Sequence, residues 1–348
     1  MMPKPTISVI LPVFNEAQFI EKTLQTLLKQ KQDICDIEIL VIDGMSTDGS
    51  YEIVRKIALQ NSSVHSFQNT MRKTPFAFNI GLREAQGEYV AILGAHSEYN
   101  PDYLSVCLAE LKTHGAVGCS GKLYSKPATQ SLQAQISLWV LSHPFGVSGS
   151  SFRTQLEGYA DTIPYPVFLK RVLLDLGGYD ESFTRNQDND MNYRIRQAGH
   201  KLYVTGKTSC VYYTRSSLRG LIDYAYGNGS WCAVSFRTEP KSLGLRHYIP
   251  ALFLIAVICS TLSAIVGILL HLPVGILVLL LTPIWLHLLI GTVASIQIAY
   301  QKKALPALLL APLFFAFHLT YGYGFLRQFA GIVLKMFTVS KTKIQTEL

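Results

Sequence analysis

At 348 residues the chain is long enough for one large domain or two smaller ones, and it holds no internal repeat or low-complexity tract. A net charge of +8 requires no nucleic-acid partner, because a basic skirt facing anionic lipid accounts for it. The composition is uneven: residues 1–248 mix charged and apolar side chains as a soluble α/β domain does, while residues 249–334 contain no Asp or Glu and only Lys302, Lys303 and Arg327 as permanent cations.

The N-terminal run ISVILPVF is short and meets Asn15 and Glu16 at once, so no signal peptide is expected and the first domain is expected to stay in the cytoplasm. TISVILPV, residues 6–13, reads as a strand. A helix follows, with Phe19 or Ile20, Leu24, Leu27 and Leu28 on one face. IEILVID is the second strand, running into the turn GMSTDGS and a helix over 51–59. VHSFQ is the third strand and EYVAIL the fourth, with a helix over 76–85 before it and another opening at Pro101 after it. This alternation, from residue 6 to about 125, is the pattern of a parallel sheet flanked by helices. Ligands of such sheets gather beyond the carboxyl ends of the strands, so PVFNE, DGMSTDG and GAHSE are expected on one rim.

Within those loops, Asp43 ends a buried strand before Gly44, placed to accept from the imide N–H of a uracil-like base or to bond its own turn. Asp48 in STDGS reads as a helix cap. Pro12, Asn15 and Glu16 offer a strand-end carbonyl and a carboxylate to base or ribose, with Asn15 alternatively a cap. Arg72 and Lys73 in MRKTPF are cations for a leaving group, or ordinary solvated charge. Further along, Asp188 and Asp190 open the helix NDMNYRIRQAG, where caps or dipole-favoured acids also belong, and Asp190 with Arg194 is an i, i+4 pair. There is no GxxxxGK[ST], and YGNGS and YGYGF do not lie between a strand and a helix opening, so phosphate-loop and dinucleotide readings fail.

PVFNE, EILVIDGMSTDGS, TPFAFNIGLREAQGEYVAIL and GGYDESFTRNQDNDMNYRIRQAG, in this order and spacing, resemble family 2 glycosyltransferases of the GT-A fold across most of residues 6–205. HPFGVSGSSFR, YGNG and EPKSLGLRHYIPALF further resemble the membrane-anchored bacterial exopolysaccharide branch, of the succinoglycan glucosyltransferase type. The resemblance implies an inverting transfer from a nucleotide sugar, UDP-linked by expectation, to a polyprenyl-diphosphate-linked glycan at the inner membrane. Its base-reading aspartate falls on Asp43. Its helix-start pair falls on Gln187 and Asp188, which gives Asp188 the general-base role, with Asp190 on the acceptor side. Its Asp-x-Asp falls on Gly94, Ala95 and His96, so both carboxylates are missing. A divalent metal is then expected on His96, with Glu98 as a substitute carboxylate, and Mn²⁺ is favoured over the oxygen-preferring Mg²⁺. The QxxRW that marks processive members is absent, YAYGNGSW standing in its place, so a single transfer is expected.

Arg215, Arg219, Arg237, Lys241 and Arg246, interleaved with Tyr224, Tyr226 and Trp231, suit a segment at the headgroup level; Arg215 and Tyr226 are the acceptor-side candidates. Apolar stretches over 249–270, 272–299 and 304–321 each approach the ~20 residues that cross a bilayer. Basic residues before the first and after the second put His271 outside, while the end, YGYGFLRQFAGIVLKMF, is either a third span or re-entrant. The expected division is therefore a catalytic domain over 1–210, an interfacial segment over 211–248, a membrane region over 249–337 and a polar tail over 338–348. Six cysteines, at 35, 107, 119, 210, 232 and 259, form no CxxC and suit reduced thiols. Expected partners are the nucleotide sugar, the lipid-linked acceptor, the membrane and other polysaccharide-assembly enzymes. The competing readings are a polyprenyl-phosphate acceptor, an inactive nucleotide-sugar-binding scaffold suggested by the lost carboxylates, and a small transporter subunit built around His287 or His318.

Overall fold

The computed structural model describes residues 6–147, 157–214, 217–238 and 240–346. The chain divides into two compact units, Met1–Lys126 with Gln155–Tyr213, and Pro127–Thr154 with Thr214–Leu348.

The first unit opens with β1 (Thr6–Val13), α1 (Ile20–Leu28), β2 (Asp36–Asp43), α2 (Ser50–Gln60), β3 (Val64–Gln68), α3 (Thr74–Glu84) and β4 (Tyr89–Ile92). β1 pairs in parallel with both β2 and β4, and β2 with β3, as the alternating sequence predicts. Ile7, Val9, Ile10 and Leu11 of β1 are wholly excluded from solvent; each contributes about 1.5–3 kcal/mol of burial. Proline is rare in an interior strand because it donates no ladder bond. Pro12 is tolerated because the carbonyl of Val13 faces β2, accepting from Gly44 N–H, so Pro12 faces the other way, where β4 has already ended at its Ile10–Ile92 pairing. The sheet therefore splits open just beyond residue 10, between β1 and β4.

The chain continues through β5 (Ser97–Tyr99), α4 (Tyr103–Thr113) and β6 (Gly118–Pro127). After α5 (Leu132–Ser142) and α6 (Pro144–Val147) it returns as β7 (Gly158–Tyr159), β8 (Val167–Leu169), α7 (Lys170–Asp175), α8 (Gln187–Gln197) and β9 (Leu202–Thr214). The strand order is β3-β2-β1-β4-β8-β6-β9-β5, with β7 on β9. The purely parallel pattern ends at β4: β8 is antiparallel to β4 and to β6, and β5 is antiparallel to β9. Residues 97–99, expected as a free loop, are thus an edge strand. One core joins Ile10, Ile42, Phe78, Ile92, Phe168, Met191 and Ile195, so α8 packs on the same sheet as the parallel half.

The second unit holds α5, α6, α9 (Leu218–Thr238), α10 (Ile249–Leu269), α11 (Val274–Leu280), α12 (Thr282–Lys302) and α13 (Leu310–Thr346). Residues 127–147 pack here, with Trp139, Val140 and Leu141 against Leu221, Ala294, Ile298 and Phe314. Three helices, Ile249–Leu269, Thr282–Lys302 and Leu305–Lys335, are long and apolar enough to cross a membrane. The YGYGF stretch continues straight along α13. The two Gly-x-Gly segments meet: a Cβ on Gly229 would stand 1.9 Å from Tyr321 O, and one on Gly324 2.3 Å from Tyr226 O. They are the contact surface of α9 on α13. His287 Nε2 lies 2.8 Å from His318 Nδ1, so the histidines of two of these helices pair with each other.

Candidate active site

Loops at the carboxyl ends of β1, β2 and β4 are knitted together by their own polar groups. Asn15, at φ 54°, donates its N–H to Ser46 Oγ at 3.0 Å and accepts from Thr47 N–H at 2.9 Å through its side chain. The N–H of Glu16 donates to Ser50 Oγ (2.7 Å), and that of Ala17 to Asp48 Oδ2 (3.0 Å). Asp48 also accepts from the N–H and hydroxyl of Ser50, so it caps α2 from one residue upstream of Gly49 while holding the first loop. Burial works to raise its carboxyl, but these bonds outweigh it and leave the group below the ordinary carboxylate range.

Asp43 is 1 % exposed. Its Oδ2 accepts from Ser46 N–H at 3.0 Å, and its Oδ1 is buried with no hydrogen-bond partner. An orphaned acceptor of this kind costs about 1–3 kcal/mol unless a ligand satisfies it. The turn bond read from the sequence is present at Oδ2, and Oδ1 is left over for a ligand. Asn69, 2 % exposed, donates its N–H to Asp43 O and its amide to Lys73 O, which ties the following loop to the same corner. Arg72, at φ 57°, is exposed on that loop, and Lys73 immediately precedes α3. Phe14, half exposed, leans on Gly44.

At the end of β4, where the family resemblance places Asp-x-Asp, Gly94 faces the Tyr165 ring. A Cβ on Gly94 would lie 2.7 Å from both Cε1 and the hydroxyl of Tyr165, so the phenol already fills the space of a first carboxylate. Tyr165 is held there by Tyr103, which donates to its carbonyl, and by Ser97, which donates to its hydroxyl at 3.1 Å. The backbone of Gly94 is engaged at both N–H and carbonyl by the Tyr99 hydroxyl, and Ala95 O accepts from buried Thr23 at 2.6 Å. His96 Nδ1 lies 3.0 Å from Glu16 Oε1, bridging the first and third loops. Its ring packs against Tyr212, with centroids 5.0 Å apart, and against Phe19. Glu98 is engaged elsewhere: Lys22 Nζ lies 2.6 Å from its Oε1, and the Tyr213 hydroxyl donates to the same oxygen.

Asp188 lies in the first turn of α8, whose preceding residue, Asn186, adopts φ 62° and makes no side-chain cap. Its Oδ1 accepts from Asn189 N–H. Crowding by protein pushes its carboxyl above the ordinary range, against the pull of its own helix N–H groups; the solvent-open face it keeps holds that rise in check. Asp190 is committed to Arg194, 2.8 Å away, and Arg194 also donates to Leu176 O and Gly178 O, pinning α8 to the loop before it. Asn79 of α3 holds the same loop, exchanging bonds with both the N–H and the carbonyl of Tyr179. In the second unit, Tyr226 accepts from Arg327; Arg215 lies outside the described residues.

A glycosyl transferase family 2 model matches residues 8–168, which cover these three loops and stop before α8. The chain is 28% identical over 92% of its length, and 94% of the relative's, to the succinoglycan biosynthesis protein ExoA of Rhizobium meliloti. It is 29% identical over 92% of its length to a dolichyl N-acetyl-alpha-D-glucosaminyl phosphate 3-beta-D-2,3-diacetamido-2,3-dideoxy-beta-D-glucuronosyltransferase of Methanococcus voltae, 96% of which it covers. Half of the chain is 30% identical to 68% of a putative colanic acid biosynthesis glycosyl transferase of Escherichia coli, WcaA. The chain belongs to glycosyltransferase family 2. Its fold is GT-A: the mannosyltransferase PcManGT from Pyrobaculum calidifontis, solved with GDP-Man and Mn²⁺, superposes with a TM-score of 0.57 at 19% identity, over 93% of this chain and 88% of that one.

As a family 2 glycosyltransferase it carries features that its motifs do not announce. Tyr165, Thr23, Asn79 and Arg194 shape the crevice without lying in the loops themselves. Asn79 stands inside a stretch that carries the family resemblance, and Arg194 was legible as the i, i+4 partner of Asp190 but not as a clamp on the preceding loop; Tyr165, between two prolines, offered no signal.

Proposed function

We propose that this glycosyltransferase moves one sugar, with inversion, from a UDP-sugar to a polyprenyl-diphosphate-linked glycan during exopolysaccharide or other surface polysaccharide synthesis. The observation that carries the donor reading is Asp43 Oδ1, a buried acceptor with no partner at the end of β2 and suited to the imide N–H of uracil. Asn15 and Glu16 fix the loop that would cover base and ribose. Arg72 and Lys73 supply positive charge for the diphosphate, and Gly94 and Ala95 form the floor beneath it.

The acceptor hydroxyl attacks the anomeric carbon opposite the diphosphate. As the new C–O bond forms, the bond to phosphate breaks, and the hydroxyl proton passes to Asp188. A carboxyl held above the ordinary range is the better proton acceptor near neutral pH. Asp190 sets the helix that carries Asp188 rather than touching the acceptor. The polysaccharide reading is supported by the name of ExoA, and the lipid reading by that of the dolichyl-linked relative and by three helices fit to span a membrane. By the positive-inside rule the catalytic unit then lies on the cytoplasmic side of the inner membrane, with Tyr226 toward the lipid headgroups and other assembly enzymes as neighbours.

Among the described residues no three His, Cys, Asp or Glu side chains form a metal cluster. The residues present fit a cation that the diphosphate itself co-ligates, with His96 as the protein ligand and Mn²⁺ preferred over Mg²⁺. Such an ion would neutralise charge on the departing diphosphate. The test is a panel of nucleotide sugars offered to membranes containing the protein, with the mass of the butanol-extracted lipid product read out. One donor should add a single sugar to a lipid-linked glycan, and EDTA should stop it. Addition to polyprenyl phosphate alone would move the acceptor one step earlier, and no transfer from any donor would refute the reading.

A further inference from the structure

Resting on that reading, we propose that Glu16 is the positioning residue of a histidine-type cation site, holding His96 in the tautomer whose Nε2 lone pair is offered to a divalent ion on the donor diphosphate. An ionised carboxylate only accepts, so the 3.0 Å contact puts the imidazole hydrogen on Nδ1 and leaves Nε2 without one in the neutral ring. Metal-binding histidines are commonly oriented in this way, by a carboxylate on the other ring nitrogen.

Three further observations set this arrangement apart from a chance surface contact. Glu16 is itself fixed: its N–H donates to Ser50, and its carbonyl accepts from the N–H groups of Phe19 and Ile20 at the start of α1. The His96 ring is flanked by those of Tyr212 and Phe19, with centroids 5.0 and 6.1 Å away, and the side chain is about a third exposed, which leaves room for a ligand. The alternative carboxylates are excluded, Gly94 by the Tyr165 phenol and Glu98 by its bonds with Lys22 and Tyr213. The position emptied of aspartate is thus rebuilt from the first loop, across the crevice, with nitrogen in place of oxygen. A nitrogen ligand favours Mn²⁺ over Mg²⁺.

Mn²⁺ binding to the purified full-length protein in detergent, with saturating UDP, tests this without any turnover. Electron paramagnetic resonance should show bound Mn²⁺ with nitrogen coupling, and His96→Ala should abolish the coupling. Glu16→Ala should weaken Mn²⁺ on the order of 10- to 100-fold. Glu16→Gln, whose carbonyl still accepts from Nδ1–H, should weaken it less, an order that a merely structural role would not produce. The thermal melting temperature in EDTA without nucleotide serves as the folding control for each variant. Unchanged Mn²⁺ affinity in Glu16→Ala, or loss with Glu98→Gln in its place, overturns the proposal while leaving the transferase reading intact. Preserved Mn²⁺ ordering with no sugar transferred by the wild type would sink the transferase reading instead.

Discussion

Asp43 divides its two oxygens between structure and ligand: one closes the turn at Ser46, and the other has no partner. Asp43→Asn should keep the fold and weaken UDP binding by about tenfold or more, as calorimetry would show, because a satisfied buried acceptor is worth about 1–3 kcal/mol. Asp188 gives a prediction whose sign is set by its raised carboxyl. Although Asp188 keeps a face open to solvent, the protein crowded around it makes the folded state hold that proton more tightly than the unfolded chain does, so ionisation costs stability as pH rises above the ordinary carboxylate range. Asp188→Asn should therefore melt no lower than wild type at pH 7, while turnover falls by roughly 10² to 10⁴ at unchanged donor affinity. The wild-type kcat/KM should fall with acid along a limb lying above the ordinary carboxylate range. The places of both aspartates, at a strand end and in the first turn of a helix, were legible in the sequence, while the role proposed for Asp188 came from the family resemblance. Tyr165 was not legible: nothing in TIPYPV reports that its phenol stands where Gly94 would carry a side chain. Gly94→Asp should cost about 1–3 kcal/mol by overpacking, and Tyr165→Ala in the same chain should restore the melting temperature.

The first four strands were readable to within a residue or so because each is an apolar, β-branched run bounded by turn residues. β5, β7 and β8, of three, two and three residues, are too short to carry a period, and only pairing across the sheet makes them strands. The same limit hid the switch from parallel to antiparallel beyond β4. Helix α8 was legible as a helix but not as a clamped one. Arg194 serves Asp190, Leu176 and Gly178 at once, a fork that lysine does not reproduce. Arg194→Lys should lower kcat and the melting temperature together while leaving UDP affinity in place. The Gly-x-Gly segments were legible only as failed nucleotide motifs, yet their lack of side chains lets α9 and α13 touch. Gly229→Ala should destabilise the protein in detergent by about 1–3 kcal/mol, whereas Gly275→Ala, with open space around its Cβ, should not.

Across the whole molecule, composition separates a polar part from an apolar one, and it carries no signal for the place of residues 127–147. Packing assigns them to the second unit, because Trp139, Val140 and Leu141 bury against its helices. The membrane reading makes a topological prediction: in a Cys259→Ser background, a cysteine at His271 should react with impermeant maleimide outside intact cells, and one at Lys302 only after lysis. The central claim is that loops far apart in the chain serve one donor. It is tested most directly by a structure of the protein with a non-hydrolysable UDP-sugar. The base imide should lie about 3 Å from Asp43 Oδ1, the diphosphate beside His96, and the anomeric carbon with its open face toward Asp188. A donor ordered elsewhere, or one unable to touch positions 43, 96 and 188 together, would contradict the account.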